Sequence, residues 1–287
     1  MATPGPTPEA VRRRRQIAGV VLLVPFLVLG YLGMRAAFFP AADTNGARVL
    51  ELTVESTAVG EDIDVDIVVP EGGSSGRPLL VFLHGSGGSS ESFTENEALF
   101  EALDELGSRA PVIVFPDGGE DRYWHDRADG DWGSYVVDEA IPTAVQATEG
   151  DASRVAIGGI SMGGFGAYDL ALRHPRRFCA VGGHSPALWL SAGATAPGAF
   201  DDAEDFERHD VIEAVRADPG SFGGIPVWSD AGFADPFLIS AVAFSDALEK
   251  GDVDLTAQIW PGAHDLGYWD EHWDEYLGFY ASSLADC

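Results

Sequence analysis

One stretch restricts the possible folds of this chain more than any other: Arg154 to Arg173, RVAIGGISMGGFGAYDLALR. Val155 to Gly158 read as a short buried strand, and Ala167, Leu170, Ala171 and Leu172 carry a helical apolar pattern up to the stop at His174-Pro175. Between them Gly159, Ser161 and Gly163 form GxSxG. A strand can turn into a helix within so few residues only if the backbone passes very close to itself, and glycines remove the side chains from that crossing. Ser161 is then expected in a strained conformation with its hydroxyl raised above a sheet, as a nucleophile. The competing reading is a Gly-rich tight turn with no chemistry.

The rest of the chain alternates strand and helix signals. Val49 to Ala58 and Ile63 to Val69 alternate apolar with polar residues and predict two antiparallel strands joined at Gly60, with Asp62, Asp64 and Asp66 on a solvated face. Pro78 to Leu83 and Pro111 to Pro116 are continuous apolar runs, as strands buried on both sides require. Further strands are expected at Phe178 to Gly183, Ile225 to Ser229 and Leu255 to Trp260. Helices are expected at Phe93 to Leu106, Tyr135 to Ala147, Val211 to Ala217, Phe237 to Glu249 and Leu266 to Leu284. The fold class is therefore α/β: a mostly parallel central sheet with helices on both faces, and ligands beyond the carboxyl ends of the strands.

A serine hydroxyl needs a base, and the base needs an acid to fix its tautomer. In a sheet of this kind the order along the chain is serine, acid, histidine. His264 directly follows the last strand and is the expected base, ahead of His184, His209 and His272, the last two of which read as surface residues. The acid should follow the penultimate strand, where Asp230 and Asp235 both stand. Asp235 is preferred, because a loop must carry the carboxylate across to the histidine. Asp265 reads as structural. The strand Pro78 to Leu83 ends in His84-Gly85-Ser86-Gly87-Gly88, whose Ser86 N–H is expected to form an oxyanion hole with the N–H of Met162. His84 reads as a loop brace. Asp117 to Trp132 is long, polar and aromatic, and Trp124, His125 and Trp132 are assigned from it to the rim of a substrate cleft. Leu188 to Asp205 reads as a cap or loop insertion.

GISMGGFGAYDLALRHPRRF, LHGSGG, Gly232 to Phe237 and Pro-Gly-Ala-His264 together resemble the esterase family of the α/β-hydrolases, which includes esterase D, S-formylglutathione hydrolase, feruloyl and xylan esterases and the mycolyltransferases. The similarity runs over roughly residues 48 to 285. It implies the α/β-hydrolase fold and a Ser161, Asp235, His264 triad, in agreement with the spacing, and it calls for no cofactor or metal. It does not separate ester hydrolysis from acyl transfer to a sugar or lipid alcohol, nor either from an inactive binding module on the same fold.

Composition adds the setting. The 46 acidic against 17 basic residues give a formal charge of −29, which repels nucleic acid and anionic lipid. Arg12 to Arg15 precede an uncharged run, Ile17 to Met34, that would span about 27 Å as a helix, close to a bilayer's hydrocarbon core. The expected organisation is a basic cytoplasmic tail (1–16), an uncleaved transmembrane signal anchor (17–39) and an extracytoplasmic catalytic domain (43–287), with a cleaved signal peptide as the alternative. The expected substrate is a small-molecule, glycan or lipid ester. Cys179, in an apolar strand signal, and Cys287, the last residue, are expected to remain separate thiols.

Overall fold

The computed structural model describes residues 42–287, of which Thr44–Cys287 form one compact unit. The basic tail and the anchor expected at 1–16 and 17–39 lie outside the described residues. Among the described residues no helix is long and apolar enough to cross a membrane.

Eight strands form one sheet: β1 (Arg48–Glu55), β2 (Asp62–Val69), β3 (Leu79–Leu83), β4 (Val112–Pro116), β5 (Val155–Ile160), β6 (Val181–His184), β7 (Val227–Gly232) and β8 (Leu255–Trp260). Their spatial order is β1-β2-β4-β3-β5-β6-β7-β8. β1 and β2 are antiparallel to their neighbours, and every later pairing is parallel. The apolar runs of β3, β4 and β5 are buried throughout, as interior strands covered on both faces must be, whereas β8 at the edge keeps exposed positions.

The longer α-helices are α1 (Glu97–Leu106), α2 (Ile141–Thr148, entered through a helical turn at Trp132–Ser134 and a π-helical stretch at Tyr135–Ala140), α3 (Met162–Arg173), α4 (Ala203–Arg208), α5 (Val211–Ala217), α6 (Leu238–Leu248), α7 (Leu266–Asp270) and α8 (Trp273–Ala285). A side chain added at Gly182 would strike Tyr280 of α8, and one added at Gly183 would strike Tyr168 of α3. Successive strand residues point to opposite faces, so α8 and α3 cover opposite sides of the sheet. The resulting core is one continuous apolar cluster reaching from Val54 to Leu248.

Four expectations change. The single helix expected over 266–284 breaks at Glu271-His272: α7 is a short helix capped by Asp265, whose carboxylate accepts from the Tyr268 N–H at 3.1 Å, and α8 starts afresh. The helix expected from Phe93 begins at Glu97, after a 3-10 turn over Ser90–Phe93, because Asn96 caps it by accepting from the Leu99 N–H. Asp66 is buried while Asp62 and Asp64 are exposed. Burial, and then the charges of Glu51, Glu91 and Asp64, raise its carboxyl above the usual range despite a bond from Ser90. Cys179 and Cys287 are joined as a disulfide with Cα atoms 5.6 Å apart. The 108-residue separation that hides this pairing in the sequence also makes the cross-link effective, contributing about 4–5 kcal/mol by the loop-entropy relation.

Candidate active site

The parallel register brings the ends of β3, β5, β6 and β7 to one edge: Leu83 lies opposite Gly159, Ile160 opposite His184, and His184 opposite Asp230. Ser161 stands between β5 and α3 with φ 56° and ψ −115°. Three bonds hold this left-handed backbone. The Ser161 N–H donates to the His184 carbonyl (2.9 Å), and its own carbonyl accepts from Ala187 (2.9 Å) and Phe165 (3.1 Å). A Cβ at Gly159 would sit 2.5 Å from the Gly163 carbonyl carbon, and one at Gly163 would land on the Leu83 carbonyl, so the crossing tolerates no side chain on either side.

His264 and Asp235 reach this serine from the loops after β8 and β7. Ser161 Oγ–H donates to His264 Nε2 at 2.9 Å, and His264 Nδ1–H donates to Asp235 Oδ2 at 2.9 Å. The other carboxylate oxygen of Asp235 accepts from the Phe237 N–H at 2.7 Å. Burial alone would push this carboxyl up, but the bonds from His264 and Phe237 and the charge of His264 outweigh it and hold Asp235 below the usual carboxylate range. Phe237 and Trp269 flank the imidazole with ring centroids 5.2 and 5.1 Å away, leaving it about one-fifth exposed.

The loop after β3 runs beside the serine: a Cβ on Gly85 would lie 3.3 Å from Ser161 Cβ. Ser86 follows on the exposed side of this loop, while Met162 opens α3, where a first-turn N–H has no carbonyl four residues back to bond. His84 is buried and braces the loop, as its sequence position suggested. The Gly118 N–H donates to its Nε2 (2.9 Å), so Nδ1 carries the proton and donates to the Gly85 carbonyl (2.8 Å).

Trp124, His125 and Trp132 are not at the rim. All three are buried. Trp124 donates from Nε1 to the His84 carbonyl (3.2 Å), and an added Cβ at Gly118 or Gly166 would strike its ring, so it supports the loop from beneath. His125 bonds to Asp205 and to the Tyr123 carbonyl, and Trp132 packs against Tyr135. Aromatic residues among acids suggest exposure, but the loop folds back and turns its rings inward. The exposed apolar side chains near the carboxyl edge are instead Leu190 after β6, Phe233 immediately after β7 and Leu266 two residues beyond His264. Sequence reasoning missed them; the available signals were an apolar residue directly after β7 and one two residues past the expected base, and Leu190 left none.

The remaining candidates separate cleanly. Asp230 is buried away from His264 and accepts from His184 Nδ1 (2.8 Å), Trp228 Nε1 (2.8 Å), Tyr268 Oη (2.7 Å) and Tyr276 Oη (3.0 Å). Burial and the Asp230 charge push the phenols of Tyr268 and Tyr276 up, which keeps them protonated as donors. His209 and His272 are not the surface residues their positions suggested: His209 is buried, and His272 stacks on Trp260 at 3.9 Å.

Comparison with known proteins gives the family and the fold. The family model described as "Putative esterase" matches residues 56–278. Esterase Rv1288 of Mycobacterium tuberculosis is 28% identical over 152 residues, covering 49% of this chain and 33% of that protein. The protein named "Putative esterase NocK" of Nocardia uniformis is 30% identical over 173 residues, covering 53% of this chain and 47% of NocK, so the match spans less than half of either relative. Among solved structures, a ferulic acid esterase superposes with a TM-score of 0.72 at 21% identity (83% of this chain, 99% of that one). An S-formylglutathione hydrolase from Agrobacterium tumefaciens gives 0.73 at 22% (86% and 99%). These likenesses establish the α/β-hydrolase fold. With the family match covering most of its length, the chain belongs to this esterase family and has the α/β-hydrolase fold.

Proposed function

We propose that the protein is an exported, membrane-anchored esterase that cleaves carboxylic esters through an acyl-enzyme on Ser161. His264 takes the Ser161 proton as the oxygen attacks the ester carbonyl, Asp235 stabilises the imidazolium, and the N–H groups of Ser86 and Met162 receive the oxyanion. His264 then returns the proton to the leaving alcohol, and water repeats the sequence in reverse to release the acid. The observation that carries this reading is the single imidazole bridging Ser161 Oγ and Asp235 Oδ2 at 2.9 Å on each side. Leu190, Phe233 and Leu266 supply exposed apolar surface for the acyl or alcohol group.

The acidic limb of the pH–rate profile tests the assignment of proton carriers. Because Asp235 is held below the usual carboxylate range, it stays ionised into mildly acidic pH, and a single protonation, that of the general base, is left to stop the reaction. Log kcat/KM for a short p-nitrophenyl ester should therefore fall with a slope of one. A flat profile from mildly acidic to neutral pH, or a slope of two through that range, would contradict it. Supplying a sugar alcohol in the same assay distinguishes hydrolysis from transfer: a transesterified product outweighing the free acid would reassign the acceptor.

Export and anchoring rest on the Arg12–Arg15 cluster and the Ile17–Met34 run, and an exported domain is also where the Cys179–Cys287 disulfide would persist. In cells producing the full chain, the protein should stay with membranes through alkaline carbonate washing and be cleaved by protease added outside. Protection from that protease would contradict export.

A further inference from the structure

Three buried residues outside the Ser161 site form a second cluster. Asp205 and His209 lie one turn apart at the end of α4, and His125 reaches them from a loop 80 residues earlier. Ligand-capable atoms of the three all lie within 4.8 Å of one another. His125 Nε2 is 3.1 Å from Asp205 Oδ2, and His209 Nε2 is 3.7 Å from Asp205 Oδ1. Nitrogen and oxygen atoms about 2.0–2.1 Å from a tetrahedral zinc ion are about 3.3 Å from each other, close to both separations, with the two imidazoles facing different oxygens of the Asp205 carboxylate.

The outer partners point the same way. His125 Nδ1 faces the Tyr123 carbonyl at 3.2 Å, and His209 Nδ1 faces Asp169 Oδ2 at 2.9 Å. Asp169 is itself fixed by Arg173 Nε, while Arg173 Nη2 donates to the Arg208 carbonyl at 2.6 Å and lies 2.8 Å from His209 Nδ1. A histidine that donates from one nitrogen to a carbonyl or carboxylate presents a lone pair at the other, which is how metal-binding histidines are oriented. Asp205 is held in place by the Asp201 N–H (2.9 Å) and Arg208 Nη2 (2.9 Å). Immediately before His125, Tyr123 and Trp124 both hold left-handed backbone, with φ 56° and 60°; such strain persists where the surroundings over-determine it, as around ligand clamps.

We propose that His125, Asp205 and His209 bind one divalent transition-metal ion of the zinc class, with solvent in the fourth position. Two imidazoles and one carboxylate suit zinc, cobalt or nickel and not calcium or magnesium, which favour all-oxygen shells. The ion would be structural, joining the 123–125 loop to α4, and its binding does not depend on the roles assigned to Ser161, His264 or Asp235.

The test uses full-length protein in detergent, stripped by a chelator, dialysed and titrated with Co²⁺. One equivalent should produce the strong visible absorption of tetrahedral cobalt, Zn²⁺ should displace it, and Zn²⁺ should raise Tm. His209→Gln and Asp205→Asn should remove the band, and Asp169→Asn should weaken binding about 10–100-fold. A titration without a stoichiometric step, a pale octahedral spectrum of the kind exposed carboxylates give, or an undiminished band in His209→Gln would overturn the site. Should the variants not fold, the wild-type comparison decides: equal Tm for stripped and Zn²⁺-loaded protein refutes the ion, and a higher Tm on loading supports it.

Discussion

Replacing Ser161 with alanine is expected to lower kcat for a short p-nitrophenyl ester by about 10⁵–10⁶-fold while leaving Tm within a few degrees of the wild type. The size follows from the dependence of the other groups on this oxygen: without it His264 has no proton to take and no acyl-enzyme forms, so only the oxyanion donors and substrate binding continue to act. Stability is little affected because the strained turn depends on the Ser161 backbone, whose N–H and carbonyl bonds to His184, Ala187 and Phe165 survive the substitution. Loss of activity with unchanged Tm separates chemistry from folding. A residual rate within tenfold of the wild type would mean that another group attacks the ester.

The second large effect is a contrast between two aspartates only five residues apart. Asp235→Asn should lower kcat about 10⁴-fold with little change in Tm, because an amide in place of the carboxylate favours the wrong His264 tautomer and no longer stabilises the imidazolium. Asp230→Asn should do the reverse. Asp230 accepts from His184, Trp228, Tyr268 and Tyr276 in a buried network, so removing its charge leaves donors poorly matched and should cost about 3–5 kcal/mol, a fall in Tm of roughly 10 °C or more. The stability loss is fitted from denaturant melts and the rate from initial velocities on folded protein. Activity surviving in Asp235→Asn but vanishing in folded Asp230→Asn would exchange the two roles.

Why the sequence distinguished these aspartates at all is instructive. Asp230 lies within the penultimate strand, which runs on to Gly232, and its side chain points into the packing between sheet and α8, whereas Asp235 follows the turn that carries the chain towards β8 and His264. The elbow was legible for a similar reason: Gly159, Ser161 and Gly163 are constrained by a crossing only a few residues long, so local spacing contains most of the information. The buried runs of β3 and β4 were legible because an interior parallel strand has no solvated face. What depended on distant packing was not. The acids around Trp124, His125 and Trp132 suggest an exposed loop, and nothing nearby in sequence reveals that Gly118, Gly166 and the residues of α4 enclose those side chains. Cys179 and Cys287 meet only because α8 returns the end of the chain to the start of β6. The His125, Asp205 and His209 cluster left one trace, the four-residue interval between Asp205 and His209 on one helix face, but its third member is remote in sequence.

The central claim is that Ser161, activated by His264, is the nucleophile. Incubating the full-length protein with a fluorophosphonate probe and measuring intact and peptide masses tests it most directly. One adduct per chain is expected, on the peptide that contains Ser161, forming at least a hundredfold more slowly in His264→Ala. Failure of the folded wild type to react, or an adduct on any other residue, would contradict it.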